Sequence, residues 1–217
     1  MVAGAIGAII PSRSFGKPVE LKIRVELSSD RNQTGTLKLL NASGGSLTGP
    51  LSVYGRSDST MASNHGNPSR DPTKLYGDTP TGTYTIPLAV ATGNSTSYNN
   101  HSYGPNGALV LKPESGQAAT AATNGRKGLL IHGGDPGAGG KLRATHGCLR
   151  LSNADMAKLM AAILAAGDNV QFSRCELVRL NMDVGLGDPV CGEDVGDPPP
   201  GIESLLNPGT ITIPPPG

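Results

Sequence analysis

The sequence has no tryptophan, two phenylalanines and five tyrosines, so aromatic residues make up only 3% of its 217 positions. Proteins that grip single-stranded nucleic acid stack bases on aromatic rings, and this chain has few rings to offer. It also lacks the excess of positive charge that binding a phosphate backbone calls for: 18 Lys and Arg stand against 17 Asp and Glu, a net charge of +1. Nucleic acid is therefore excluded as a partner. No run approaches the roughly 18 consecutive apolar residues of a membrane-spanning helix. The stretch MVAGAIGAIIPSRSF is apolar but short. It has no basic start and Pro11 ends it, so it does not read as a secretory signal.

Glycine and proline, by contrast, are abundant, at 31 and 18 residues. That content falls just short of the roughly 25–30% at which disorder becomes the default, and it predicts a folded body with long turns. The near-zero net charge hides an asymmetry. Residues 1–173 carry 16 Lys and Arg against 10 Asp and Glu, whereas residues 174–217 carry 2 against 7. The composition shifts at the same place, and PPPG occurs twice beyond it, at 198–201 and 214–217. The expected organisation is an N-terminal segment 1–18, a folded body 19–173 and an acidic Gly/Pro-rich tail 174–217. A mildly basic body is either an ordinary solvated surface or one that meets an anionic substrate.

Within the body, Val19, Leu21, Ile23, Val25 and Leu27 alternate with Glu20, Lys22, Arg24 and Glu26, the period-two pattern of a half-buried strand. Two short apolar runs flank Asn41–Gly45, which predicts a hairpin. Further strands are expected over 83–90, 108–111, 128–131 and 169–172, with long polar loops over 57–80 and 91–107. One helix is expected, where Met156, Leu159, Met160 and Ile163 keep the i, i+3, i+4, i+7 stripe. Ser152 or Asn153 caps its start, Asp155 completes a capping box with Ser152, and Gly167 closes its end. Many short strands with one helix predict a mainly β fold, a sandwich or barrel capped by that helix.

The chemistry-bearing segment is LLIHGGDPGAGGKLRATHGCLRLSNADM, residues 129–156. Cys148 lies between a glycine and an apolar residue just before the helix. A thiolate there gains from the helix N-terminus, from His146 and from Arg150. A thiol needs a neighbouring base to become a good nucleophile; His132 closes a strand and stands on a rigid edge, and the Gly-rich loop after it can fold back to bring Cys148 alongside. The backbone N–H groups of Gly147 and Cys148 form the expected oxyanion hole. The competing reading makes His132, His146 and Cys148 zinc ligands, but no CxxC or HExxH spacing supports it. His65 and His101 fall in the two long loops and read as solvated.

The run from His132 through Thr145-His146-Gly147-Cys148-Leu149-Arg150, with Gly77-Asp-Thr-Pro-Thr-Gly-Thr-Tyr-Thr-Ile86 upstream, resembles the signature of the L,D-transpeptidase catalytic domain family. The resemblance covers roughly residues 20–173. It implies a β-sandwich or barrel-like fold, no cofactor, and acyl transfer on peptidoglycan stem peptides in the periplasm or cell envelope. Cys148 matches the nucleophile and His132 the base, with the carbonyl of Gly133 orienting that base. Thr145, His146 and Gly147 match residues lining the thiol pocket, and Arg150 one that orders the pocket or holds a substrate carboxylate. The implied product is a 3→3 cross-link, an exchanged terminal D-amino acid, or, with water as acceptor, the trimmed peptide of an L,D-carboxypeptidase. A secreted antibacterial effector using the same site is a second reading, motivated by the missing signal. A non-catalytic wall-binding module is a third, and the presence of both Cys148 and His132 argues against it. The sequence carries no signal of oligomeric state. With Cys148 assigned, Cys175 and Cys191 are either a bridged pair or two unrelated thiols.

Overall fold

The structure is a computed structural model that describes residues 17–167 and 169–180. The alternation at 19–28 forms β1 (Val19–Ser28), whose inward residues Leu21, Ile23, Val25 and Leu27 are almost completely buried. It pairs antiparallel with β2 (Gly35–Asn41), and the turn at Asn41–Gly45 returns the chain toward β3 (Leu51–Tyr54), which pairs antiparallel with β2. The later strands are β4 (Gly82–Thr85), β5 (Ala89–Val90), β6 (Ala108–Pro113), β7 (Leu129–His132), β8 (Leu149–Leu151) and β9 (Val170–Leu180). The hydrogen-bonded order is β4-β9-β1-β2-β3-β8-β7-β6-β5, and β6 also pairs with β4. That last pairing closes the sheet into a barrel, with β5 appended to β6, so the mainly β expectation resolves to a closed barrel. Closure removes the exposed strand edges that would otherwise invite aggregation.

Chain order and barrel order meet at β1 and β9, which run parallel from Val19↔Val170 to Ser28↔Leu180. One register shift falls beside Leu21, where Ser173 Oγ donates to the Leu21 carbonyl at 3.3 Å. This seam corrects two expectations. The last strand does not stop at Phe172, and the compositional boundary at 173/174 falls inside β9. Cys175 and Leu177, on the tail side of that boundary, are core residues with 0% and 1% exposure. Their burial outweighs the acidic and Gly/Pro-rich average of the residues that follow. Burial also pushes the Cys175 thiol far above its ordinary range. Cys191, its candidate partner, and the remainder of the tail lie outside the described residues, as does the N-terminal segment up to residue 16.

Among the described residues the expected helix is present as the longest of four α-helices: α1 (Ser59–Asn64), α2 (Asn100–Tyr103), α3 (Gly116–Thr123) and α4 (Asn153–Ala165). In α4 the Ser152 side chain accepts from Asp155 N at 3.0 Å, and Met156, Leu159, Met160 and Ile163 pack on the barrel core. Each such buried side chain contributes about 1.5–3 kcal/mol as an upper bound. The other three carry no readable stripe. α1 and α2 are too short for one, and α3 buries only Ala118 and Ala121. α1 and α2 are instead set by their caps, since Asp58 accepts from Met61 N and Asn99 from Ser102 N. They lie inside the segments expected to be plain loops.

Because Leu177 belongs to the barrel core, Leu177→Ala is expected to lower unfolding stability by about 2–5 kcal/mol, as much as Leu21→Ala. Urea denaturation of both variants checks this. A near-neutral Leu177→Ala would restore the boundary at 173.

Candidate active site

β7 and β8 run parallel and adjacent, with Ile131↔Leu149 and His132↔Arg150 in register. Residues opposite one another in a parallel pair point to the same face, and so do residues two apart. His132, Arg150 and Cys148, just before β8, therefore share one face. They line a common cavity of about 380 Å³. The Gly-rich loop 133–144 spans between the two strands, as expected from its composition.

The loop that carries the thiol is fixed from three sides. Thr145 is stitched to the segment after β3, its N–H donating to Arg56 O at 3.1 Å and its O accepting from Asp58 N at 2.8 Å. Its hydroxyl accepts from Gly147 N at 2.9 Å and donates to Cys148 O at 3.1 Å. From the other side, the buried Thr79 hydroxyl donates to Gly147 O at 2.9 Å, which accounts for the Thr79-Pro80 motif seen upstream. From below comes Arg126, 3% exposed. Its guanidinium donates to the carbonyls of Pro72, Gly77 (2.6 Å), Asp78 (2.8 Å) and Gly147 (3.5 Å). Gly147 has φ of +109°, and a Cβ there would collide with that guanidinium; glycine is required on both counts.

These contacts correct the expected oxyanion hole, because the Gly147 N–H is committed inward to Thr145 rather than facing the cavity. They also change the electrostatics. Burial raises the Cys148 thiol above its ordinary value, and the Leu130 backbone, Arg126 and Arg150 only partly oppose this. His146 is not among the groups that act on the thiol. The cations that do are the two arginines.

His132 is 3% exposed, and its Nδ1 donates to Gly133 O at 2.7 Å. That bond fixes the tautomer with Nε2 unprotonated. Burial pushes the imidazole down to about 4, helped by the Arg150 charge and opposed by the Gly133 bond. Near neutral pH the cavity thus holds an uncharged thiol and an uncharged imidazole.

Arg150 turns away from a free role. Its Nη1 donates to Ser102 O and its Nη2 to Asp135 O, both at 2.7 Å, so it braces the loop carrying α2 against the Gly-rich loop. Gly134, with φ of +129°, leaves room for that guanidinium, and its N–H donates to Asn153 Oδ1 at 2.6 Å. His101 is not a merely solvated loop residue. Its Nδ1 donates to Asp135 Oδ2 at 2.7 Å, and its Nε2 accepts from Arg143 at 3.1 Å. His65 is engaged too. It stacks on Tyr76 at 3.8 Å, and Tyr76 meets His146 edge-on at 5.5 Å. Tyr76 holds this place at a φ of +57°, an uncommon conformation for a non-glycine residue. Among the described residues, no three His, Cys, Asp or Glu side chains converge as a metal site.

Sequence reasoning missed Arg126, Asn153 and Tyr103. The Tyr103 ring sits 4.9 Å from that of His132, tilted by 53°. None of the three lies in the motif, and their partners are distant in sequence.

The family model for YkuD, the L,D-transpeptidase catalytic domain, matches residues 39–190. Among solved structures, L,D-transpeptidase 1 of Mycobacterium tuberculosis is similar at 15% identity and a TM-score of 0.33. The alignment covers 72% of this chain and 60% of that one. No curated protein matches the chain in sequence.

The buried neutral His132 predicts a pH dependence of stability. Its folded pKa of about 4 lies below the unfolded 6.5, so the unfolded chain gains a proton that the folded one refuses. Stability is full above pH 6.5 and is lost as pH falls toward 4, by about 2–3 kcal/mol at pH 4.5. Urea unfolding at pH 7 and 4.5 should show this loss in the wild type, with a smaller loss in His132→Gln.

Proposed function

The chain belongs to the L,D-transpeptidase catalytic domain family, and from that premise we propose that it transfers peptidoglycan stem peptides through a thioester on Cys148. The reaction takes place outside the cytoplasm, in the periplasm or cell envelope. The observation that carries this reading is the bond from His132 Nδ1 to Gly133 O in the cavity shared with Cys148. It reserves Nε2 to accept a proton.

In the first step Cys148 Sγ attacks the carbonyl between the L-centre of meso-diaminopimelate and the terminal D-alanine. The thiol proton passes to His132 Nε2. The tetrahedral intermediate collapses, His132 returns the proton to the departing amine, and D-alanine leaves. The thioester then meets the amine of a second stem, whose proton His132 takes as the new amide forms and hands to the departing Cys148 sulfur. The product is a 3→3 cross-link. A free D-amino acid as acceptor gives exchange, and water gives a trimmed tripeptide.

The neutral resting couple supports this order of events. A thiol raised by burial and an imidazole lowered to about 4 do not form an ion pair before substrate arrives. The proton moves in the attack itself, which is general-base catalysis. Thr145, Thr79 and Gly147 act by holding the thiol loop. His146, exposed at the cavity and against Tyr76, forms one wall. Arg150 orders the two loops over the site.

Cys148→Ala is expected to abolish turnover while leaving the fold intact. Muropeptide mass spectrometry after incubation with purified sacculi reads this: new dimers, exchanged ends or trimmed peptides appear with the wild type and vanish in the variant. Products that persist in Cys148→Ala would defeat the thioester. A carbapenem is expected to add once, at Cys148, by intact-protein mass spectrometry.

His132→Ala is expected to slow acylation by about 10²–10⁴-fold, with partial recovery as pH rises toward the thiol's raised pKa. An unchanged pH profile would show that another group takes the proton.

A further inference from the structure

The cavity is lined by cations and by no carboxylate among the described residues. Its three cations are Arg150, Lys127 and Arg143. Arg150 is spent, with both terminal nitrogens on the carbonyls of Ser102 and Asp135. The other two are exposed and have no ion-pair partner among the described residues. Lys127 comes from the turn before β7. It adjoins Gly128, whose carbonyl lies 3.7 Å from Cys148 Sγ. Arg143 comes from the opposite loop, two residues before Thr145. Its Nη1 rests on His101 Nε2 at 3.1 Å. Asp135, in the same loop, is held by His101 Nδ1 at 2.7 Å.

Two cations without ion-pair partners among the described residues are brought from different segments to the lining of one concave site, where they favour an anionic ligand. We propose that Lys127 and Arg143 determine donor specificity by reading two carboxylates at the end of the donor peptide. One is the terminal D-alanine carboxylate and the other the side-chain carboxylate of the residue before it. This rests on the reading of the site as a stem-peptide acyltransferase and adds to it the charge state of the donor: the free diacid is the substrate, and its carboxamide forms are poor ones. Of the two roles that the family resemblance implied for Arg150, ordering the pocket stays with it, and holding a substrate carboxylate passes to Lys127 and Arg143. Neither Lys127 nor Arg143 takes part in proton transfer, so both act on binding and only indirectly on the chemical step.

The test measures binding apart from turnover. Full-length Cys148→Ala protein is titrated calorimetrically with three synthetic tetrapeptides: the diacid, the side-chain carboxamide and the terminal carboxamide. Each neutralised carboxylate is expected to weaken binding about tenfold, and the preference should shrink as salt is raised. Adding Lys127→Ala or Arg143→Ala is expected to weaken the diacid about tenfold and to erase one of the two amide penalties. Lys127→Arg and Arg143→Lys, which keep the charge, should retain most of the preference. In the protein with Cys148 intact, the same alanine changes should raise KM for the diacid with little change in kcat. Equal binding of all three peptides, no binding of any, or alanine variants that weaken the diacid and the amides alike would overturn the proposal. Charge-dependent binding without turnover would instead leave this recognition standing and remove the acyl-transfer reading.

Discussion

A buried guanidinium supported by main-chain carbonyls underlies the site. Arg126 is 3% exposed, and the acceptors it finds are carbonyl oxygens of Pro72, Gly77, Asp78 and Gly147. A buried charge without such acceptors would cost several kcal/mol. Satisfying it forces the segment before β4 and the thiol loop to converge on one point. The glycine before Cys148 follows from the same constraint, since no side chain fits between its backbone and the guanidinium.

From that anchor the rest of the site is built by short-side-chain bonds to backbone. Thr145 and Thr79 hold the carbonyls of Gly147 and Cys148, and Asn153 holds Gly134. Apart from Arg126, the main chain around the thiol is set by hydroxyl and amide groups that carry no charge. This arrangement keeps the resting thiol and imidazole neutral. The cost of burial exceeds what two arginines return to the thiolate, and the imidazole is held in its unprotonated form for the same reason.

The barrel provides the rigidity. Parallel pairing of β7 with β8 sets His132 level with Arg150 and Cys148 one pleat away, a spacing that a loop alone would not hold. The β1–β9 seam joins strands from both ends of the described chain within that barrel, and the β4–β6 pairing closes it. The loop carrying α2 reaches over the site, where Tyr103 covers His132. It is tied to the Gly-rich loop through Arg150 and through the contact of His101 with Asp135.

What could be read directly from the sequence was local. The period-two pattern of 19–28 and the helical stripe of 156–163 each repeat within a dozen residues, and burial simply follows the pattern. The family signature from His132 to Arg150 was legible because its residues lie close together along the chain, with Thr145 to Arg150 consecutive. The extent of β9 was not, since the acidic, proline-rich composition that follows masks the buried Cys175 and Leu177. Nor was α3, whose buried face is alanine and carries almost no pattern. The roles of Arg126, Arg150 and Arg143 were decided only in three dimensions. An arginine's function depends on which acceptor atoms lie within about 3 Å of its guanidinium. For these three, the partners are between 15 and 54 residues away along the chain. Sequence determined which groups could react; the fold decided which arginines are occupied by main-chain carbonyls.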